Sequence, residues 1–292
     1  MGYSARYHAA SLAAVFLALA VGILIGASLG GNFLSDTEDN LRESLQGDIE
    51  DARSEADGLQ TDLDRERAFT ERAYPALVGD TLANRRIGVL ALGDLPSSIA
   101  GDVSDALDPT GAELVEIAVV RIPPDVEGLA GEVSPKFKGM EKDLGRLEDL
   151  GERLGAQFVA GDGKLFDAAR NTLFQRSSGE GGKLDGVVLV RGPSGIPDPD
   201  EDDGTEEIEA GLVRGIAGSG ANSVAVERSD TEESSVPFFA SFDVATVDSV
   251  DLTSGKTAMV FALLGADGNF GIKSTAGSLL PELLVPADRA QR

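Results

Sequence analysis

The residues best suited by type and spacing to do chemistry fall in four short strings. Ser254-Gly255-Lys256-Thr257 has the ending of a phosphate-binding loop, in which backbone amides wrap a phosphate and the lysine reaches it. That loop also needs glycine at position 250, where Val250 stands. The string therefore reads as an ordinary helix start, with Thr253 or Ser254 as its cap and Lys256 solvated. Gly161-Asp162-Gly163 and Gly218-Ser219-Gly220 lack the glycine spacing and acidic strand end of a dinucleotide fingerprint, and read as turns. Asp198-Pro199-Asp200-Glu201-Asp202-Asp203-Gly204, followed by Glu206, Glu207 and Glu209, has the oxygen donors to attract a hard cation such as Ca²⁺. Gly204 falls one place late for the sharp turn of an EF-hand loop. The plainer reading is a solvated acidic loop before a helix whose early glutamates suit its N-terminal dipole. Ser194, after Gly192-Pro193, has no histidine to activate it, because the one histidine is His8, near the N-terminus.

The chain has no cysteine, which removes thiol nucleophiles, disulfides, thiolate zinc sites and iron–sulfur clusters. The expectation is a protein with no catalytic residue and no cofactor. Among its 292 residues, 25 are Lys or Arg and 50 are Asp or Glu, for a net charge of −25. Such a chain repels phosphate backbones, so nucleic acid is excluded as a partner. The 42 % hydrophobic content is enough for a real core in one or two domains.

The elements that would carry these residues divide the chain sharply. Residues 9–31 (AASLAAVFLALAVGILIGASLGG) form an uncharged apolar run long enough to cross a bilayer, which needs about 20 residues. Arg6 and His8 precede it; Asp36, Glu38 and Asp39 follow. The positive-inside tendency places residues 1–8 in the cytoplasm and everything beyond the span outside the cell membrane, with lipid around the helix. A cleaved signal peptide is the competing reading, with small residues around Ala27 and Ser28, but the run exceeds the ~7–15-residue apolar core of such peptides. Gly22, Gly26 and Gly30 share one helix face where a second backbone can approach closely. That face suits helix pairing, although glycine is also simply common in membrane helices.

Residues 32–80 read as a coiled-coil stalk. Leu45, Ile49, Ala52, Ala56, Leu59, Leu63, Thr70, Ala73 and Leu77 follow alternating steps of three and four, with a polar lapse at Glu66, and charged residues stand between them. Gly47 and Gly58 weaken the helix by about 1 kcal/mol each relative to Ala. Such a stripe needs a second copy, another protein or the chain's own globular part to cover it; a parallel homodimer agrees with the glycine face below. Pro75 and Gly79 mark the exit.

From residue 85 strands and helices alternate. Strands are expected at 86–93, 112–120, 186–191, 223–227 and, as a short edge strand, 244–247. Helices are expected at 96–107, 135–154, 164–174, 206–218 and 254–265. The first three elements make a βαβ unit, and the whole of 85–284 reads as a three-layer α/β domain with a mainly parallel sheet, followed by a tail at 285–292. That architecture hosts many functions and settles none.

Two stretches carry a resemblance. The first is the run from His8 to Gly22 with the acidic heptads after it. The second contains Thr246, Val247, Asp248, Ser249, Val250 and Asp251, then Ser254-Gly255-Lys256, then Gly268 to Gly271 and Leu279-Leu280-Pro281. Both resemble the actinobacterial MctB-like copper transporter family, whose members share a membrane helix, a coiled-coil segment and an extracytoplasmic α/β domain. The resemblance implies a role in copper transport or copper homeostasis, with copper ion as a partner; a related branch implies a non-enzymatic envelope scaffold that couples a protein partner to wall remodelling or division. It assigns no metal ligand. Copper prefers thiolate, thioether or imidazole donors, and beyond the span this chain offers only Met140 and Met259. Tight direct coordination is therefore not expected.

Overall fold

The computed structural model describes residues 5–125, 127–129, 135–140, 143–179, 181–193 and 204–282. Ser194, the run 198–203 and the tail 285–292 lie outside the described residues. The chain divides into two units, Met1–Phe69 and Thr70–Arg292.

The first unit is helical throughout its described length and belongs to α1, Ala5–Val78. Its segment Tyr7–Ala27 is long and apolar enough to cross a membrane, and none of it is buried in the single chain. Further along, Leu45, Ile49, Leu59 and Leu63 are about half exposed or more, Leu59 to 64 %. Gly22, Gly26, Gly47 and Gly58 have nothing within 4 Å of where a Cβ would stand.

The second unit begins with the last turns of α1, where the seam read from sequence changes face. Ala73 and Leu77 stay exposed, whereas Tyr74 and Val78 are buried. Tyr74 donates its hydroxyl proton to the Ala106 carbonyl at 2.7 Å, and burial pushes its pKa up. Pro75 lies inside the helix, which ends at Val78.

The elements that follow are β1 (Arg86–Leu92), α2 (Ser97–Leu107), β2 (Glu113–Val120), α3 (Leu144–Ala160), α4 (Lys164–Ala169), β3 (Phe174–Gly179) and β4 (Gly186–Arg191). Then come α5 (Thr205–Ala217), β5 (Asn222–Val226), α6 (Val236–Ala240), β6 (Ala245–Val247), α7 (Thr253–Leu263) and β7 (Asn269–Phe270). They build one seven-stranded sheet in the order β3-β2-β1-β4-β5-β6-β7. All neighbours are parallel except β2 and β3. The central strands are buried on both sides, as expected where helices cover both faces. On one face Ile99, Val103 and Leu107 of α2, Met259 and Leu263 of α7, and Tyr74 and Val78 pack on the sheet. On the other, Leu147, Leu154 and Phe158 of α3, Phe166 of α4, Leu212 and Ile216 of α5, and Phe239 of α6 do so. The architecture is the three-layer α/β arrangement with a mainly parallel sheet.

Helices α3 and α5 approach unusually closely. Gly151 and Gly155 of α3 meet Gly211 and Gly215 of α5 four residues apart on both sides. A Cβ at any of these positions would run into main-chain atoms of the other helix, such as the Leu212 carbonyl for Gly155. Glycine spacing that permits backbone contact in membrane helices does the same here in the core of an α/β unit.

Several sequence expectations need correction. The helix expected at 135–154 begins at Leu144, where Asp143 accepts a hydrogen bond from the Arg146 amide and caps it; residues 135–137 form a separate 3₁₀ turn. The helix expected at 164–174 stops at Ala169, and Phe174 opens β3, an antiparallel edge strand. The strand at 245–247 is not an edge, because β7 pairs beyond it. Helix α7 has Leu252 at its N-cap with no side-chain cap, so neither Thr253 nor Ser254 caps it. Lys256 is not solvated: its side chain is 18 % exposed and stands 3.4 Å from Asp105.

Candidate functional site

In the order β3-β2-β1-β4-β5, the chain leaves β1 through α2 on one face and β4 through α5 on the other. Between β1 and β4 the two crossovers diverge, which opens a crevice beyond the carboxyl ends of the strands, the usual ligand position in open α/β sheets. The crevice exists here, with a volume of about 350 Å³. It is lined by Pro96, Ser98 and Ile99 at the start of α2, by Arg191, Gly192 and Pro193 at the end of β4, and by Glu227, Arg228, Thr231, Glu232 and Glu233 after β5.

The charged groups around it are engaged with one another. Arg191, at the end of β4, reaches Glu209 of α5 at 2.6 Å and lies 4.1 Å from the Phe238 ring centroid. Arg228 binds Asp102 of α2 and stands 3.3 Å from Asp230. Burial would lower its pKa, but Asp102, Asp251 and Asp230 together hold it above its ordinary value. Glu227 is buried and fully satisfied. One carboxylate oxygen accepts from the Ser234 hydroxyl and Lys273 Nζ, both at 2.8 Å, and the other from the Ser235 amide at 2.8 Å and hydroxyl at 3.1 Å.

Thr246, Val247, Asp248 and Val250 are all buried. Thr246 donates its hydroxyl proton to the Asn269 side-chain oxygen at 2.9 Å. The two oxygens of Asp248 accept from the successive amides of Ile272 at 2.8 Å and Lys273 at 2.9 Å. Gly271 permits this fork: its φ is +138°, and a Cβ there would overlap the Asp248 carboxylate. Asp251 accepts from the Ser229 amide at 2.7 Å and hydroxyl at 2.6 Å. Burial would raise its pKa, but the Ser229 hydrogen bonds and the Arg228 charge outweigh it and hold it below the usual range. These residues fasten the last strands and the loop after β5, and only the Asp251 bond to Ser229 lies next to the crevice.

The remaining strings stay apart from it. Gly161 closes α3 in a left-handed turn, and Gly218-Ser219-Gly220 follows α5, both as turns. Gly255 packs on the Ser249 carbonyl, where α7 meets the end of β6, and offers no phosphate cradle. A void of about 20 Å³ beside Glu116 and Phe166 has room for one water. A depression of about 360 Å³ at the β7 edge lies away from the converging strand ends. Sequence reasoning did not single out Arg191, Glu227, Arg228 or Lys273. The charged residues that close the apolar runs of β4 and β5 could have pointed to Arg191, Glu227 and Arg228, whereas Lys273, beyond β7, carries no such signal.

A family model described as copper transport outer membrane protein, MctB, matches residues 3–281, nearly the whole chain. The chain belongs to the MctB family. A search of curated proteins returned no match. In this MctB-family chain the two sulfur donors beyond the apolar helix are held apart: Met140 lies in the core on one face of the sheet, Met259 in the core on the other. Among the described residues no group of three or more His, Cys, Asp or Glu side chains converges as a metal site.

Proposed function

We propose that this MctB-family protein is a single-pass component of the cell membrane that acts in copper transport or copper homeostasis without enzymatic chemistry and without tight copper coordination by its own side chains. The family match over residues 3–281 carries the copper role. The separation of Met140 and Met259 on opposite faces of the sheet supports an indirect one. In this reading residues 1–8 are cytoplasmic, the apolar helix spans the bilayer, and the acidic α/β unit stands outside. A helix satisfies its own backbone in lipid, which suits the cell membrane; the family's description names an outer membrane, and fractionation of the two membranes distinguishes them. Cell-associated copper should change when the protein is removed, and unchanged copper content would take this role away. Full-length protein in detergent should show no stoichiometric sub-micromolar binding of Cu(I) or Cu(II); such binding would overturn the indirect mode.

The exposed seam of α1 favours a second reading, a non-enzymatic envelope scaffold that couples a protein partner to wall remodelling or division. Leu45, Ile49, Leu59 and Leu63 present apolar surface that a second copy would cover as a parallel coiled coil, with Gly22, Gly26 and Gly30 paired below. The chain has no native cysteine, so single cysteines at Leu45, Leu59 and Leu63 report directly. Symmetric crosslinked dimers in native membranes are expected; failure at all three positions removes the homodimer.

A further inference from the structure

We infer that the charges flanking the seam of α1 make it select a second copy of this chain, parallel and in register, through ion pairs of Asp48 with the partner's Arg53 and of Asp62 with the partner's Arg67. The inference rests on the coiled-coil reading above and names the residues that decide its partner, its orientation and its register. Leu45, Ala52 and Leu59 alternate along the seam with Ile49, Ala56 and Leu63. Helix α1 runs unbroken through all six, and the leucines and Ile49 stand about half exposed or more in the single chain. This spacing sets Asp48, Glu55 and Asp62 along one flank of the seam and Arg53, Gln60 and Arg67 along the other.

In a parallel coiled coil a residue on the first flank lies beside the one five places further on, on the second flank of the other helix. Asp48 then meets the partner's Arg53, Glu55 the partner's Gln60 and Asp62 the partner's Arg67, and no like charges face each other. Two-fold symmetry doubles the two ion pairs to four. An antiparallel pair sets the acidic flank against itself and the arginine flank against itself, which is repulsive on both sides. Sliding parallel chains by one heptad leaves two of the four pairs, both made by Glu55. Two chains of net charge −25 repel in general, and these arginines stand where the helices come closest. Within one chain Asp62 lies 2.7 Å from Arg65, with both side chains more than two-thirds exposed. A pair so exposed contributes little and does not hold Asp62 back from the partner.

The test is co-expression of two full-length chains that carry tags of different size and Leu45→Cys, followed by oxidation in native membranes. One chain carries Arg53→Glu with Arg67→Glu, so that both flanks are acidic; the other carries Asp48→Arg with Asp62→Arg, so that both lean basic. Each should repel its own kind and attract the other. The mixed dimer should exceed its statistical share over the two homodimers by about tenfold. Membrane-helix pairing is the same in all three dimers, so the ratio reports the flanks alone. Orientation is read with otherwise unchanged chains, one bearing Leu45→Cys and the other Leu63→Cys: no crosslink between the two positions is expected. A statistical mixture of dimers, loss of crosslinking in every charge-variant combination while Leu45→Cys alone crosslinks, or a Leu45 to Leu63 crosslink would overturn the inference and leave a dimer standing. Failure of Leu45→Cys, Leu59→Cys and Leu63→Cys alike to crosslink would instead remove the coiled coil itself.

Discussion

Asp248 holds two successive amides that β7 leaves behind as the chain turns away from the sheet. Replacing it with Ala leaves these two partly buried N–H groups without their acceptor, and the expected cost is about 1–3 kcal/mol. Chemical denaturation of the full chain measures this. Asp251 differs because its carboxylate is partly solvated and its pKa is depressed. A carboxylate with a depressed folded pKa contributes stability that is present above its unfolded value of about 3.9 and is lost as the pH falls through the folded value. Ser229→Ala removes one of the hydrogen bonds that depress it, so acid unfolding should begin at a higher pH in the variant. Coincident acid transitions would show that this hydroxyl does not hold the charge. At this scale the sequence was only partly readable. An acid inside the alternating string from Thr246 to Asp251 announces that it is held by something, but the acceptor's partners lie 24 and 25 residues further on, in a stretch with no pattern of its own.

Among the elements, α3 and α5 show how much a missing side chain can matter. Gly155→Ala would push a methyl group into the Leu212 carbonyl, and overpacking of this kind costs about 1–3 kcal/mol. Gly58→Ala, in α1 with open space around it, should instead raise helix stability by about 1 kcal/mol. Thermal unfolding followed by circular dichroism distinguishes the two signs. The strands buried on both faces were legible because continuous apolar runs such as Val187 to Val190 have no other comfortable place. Strand β3 was not, because Phe174-Gln175-Arg176-Ser177-Ser178-Gly179 is a polar edge whose pairing comes entirely from β2. The crevice was equally hidden. It arises from strand order, which local periodicity does not encode, and its charged residues look in sequence like ordinary strand ends.

For the molecule as a whole, a charge of −25 sets a repulsion that salt relieves. The unfolding temperature of the second unit should therefore rise as NaCl is raised from about 20 to about 200 mM, where the screening length shortens several-fold; a falling or flat midpoint would place the repulsion elsewhere. The burial of Tyr74 and Val78 has a further, practical meaning for anyone dissecting the chain. Trypsin has exposed arginines to attack at Arg65 and Arg72, and the resistant fragment it leaves should start just ahead of Tyr74. A soluble piece cut a few residues later, at 80, would arrive with an open slot in its hydrophobic layer where a phenol ring and a valine belong, and should aggregate where the longer piece stays monodisperse.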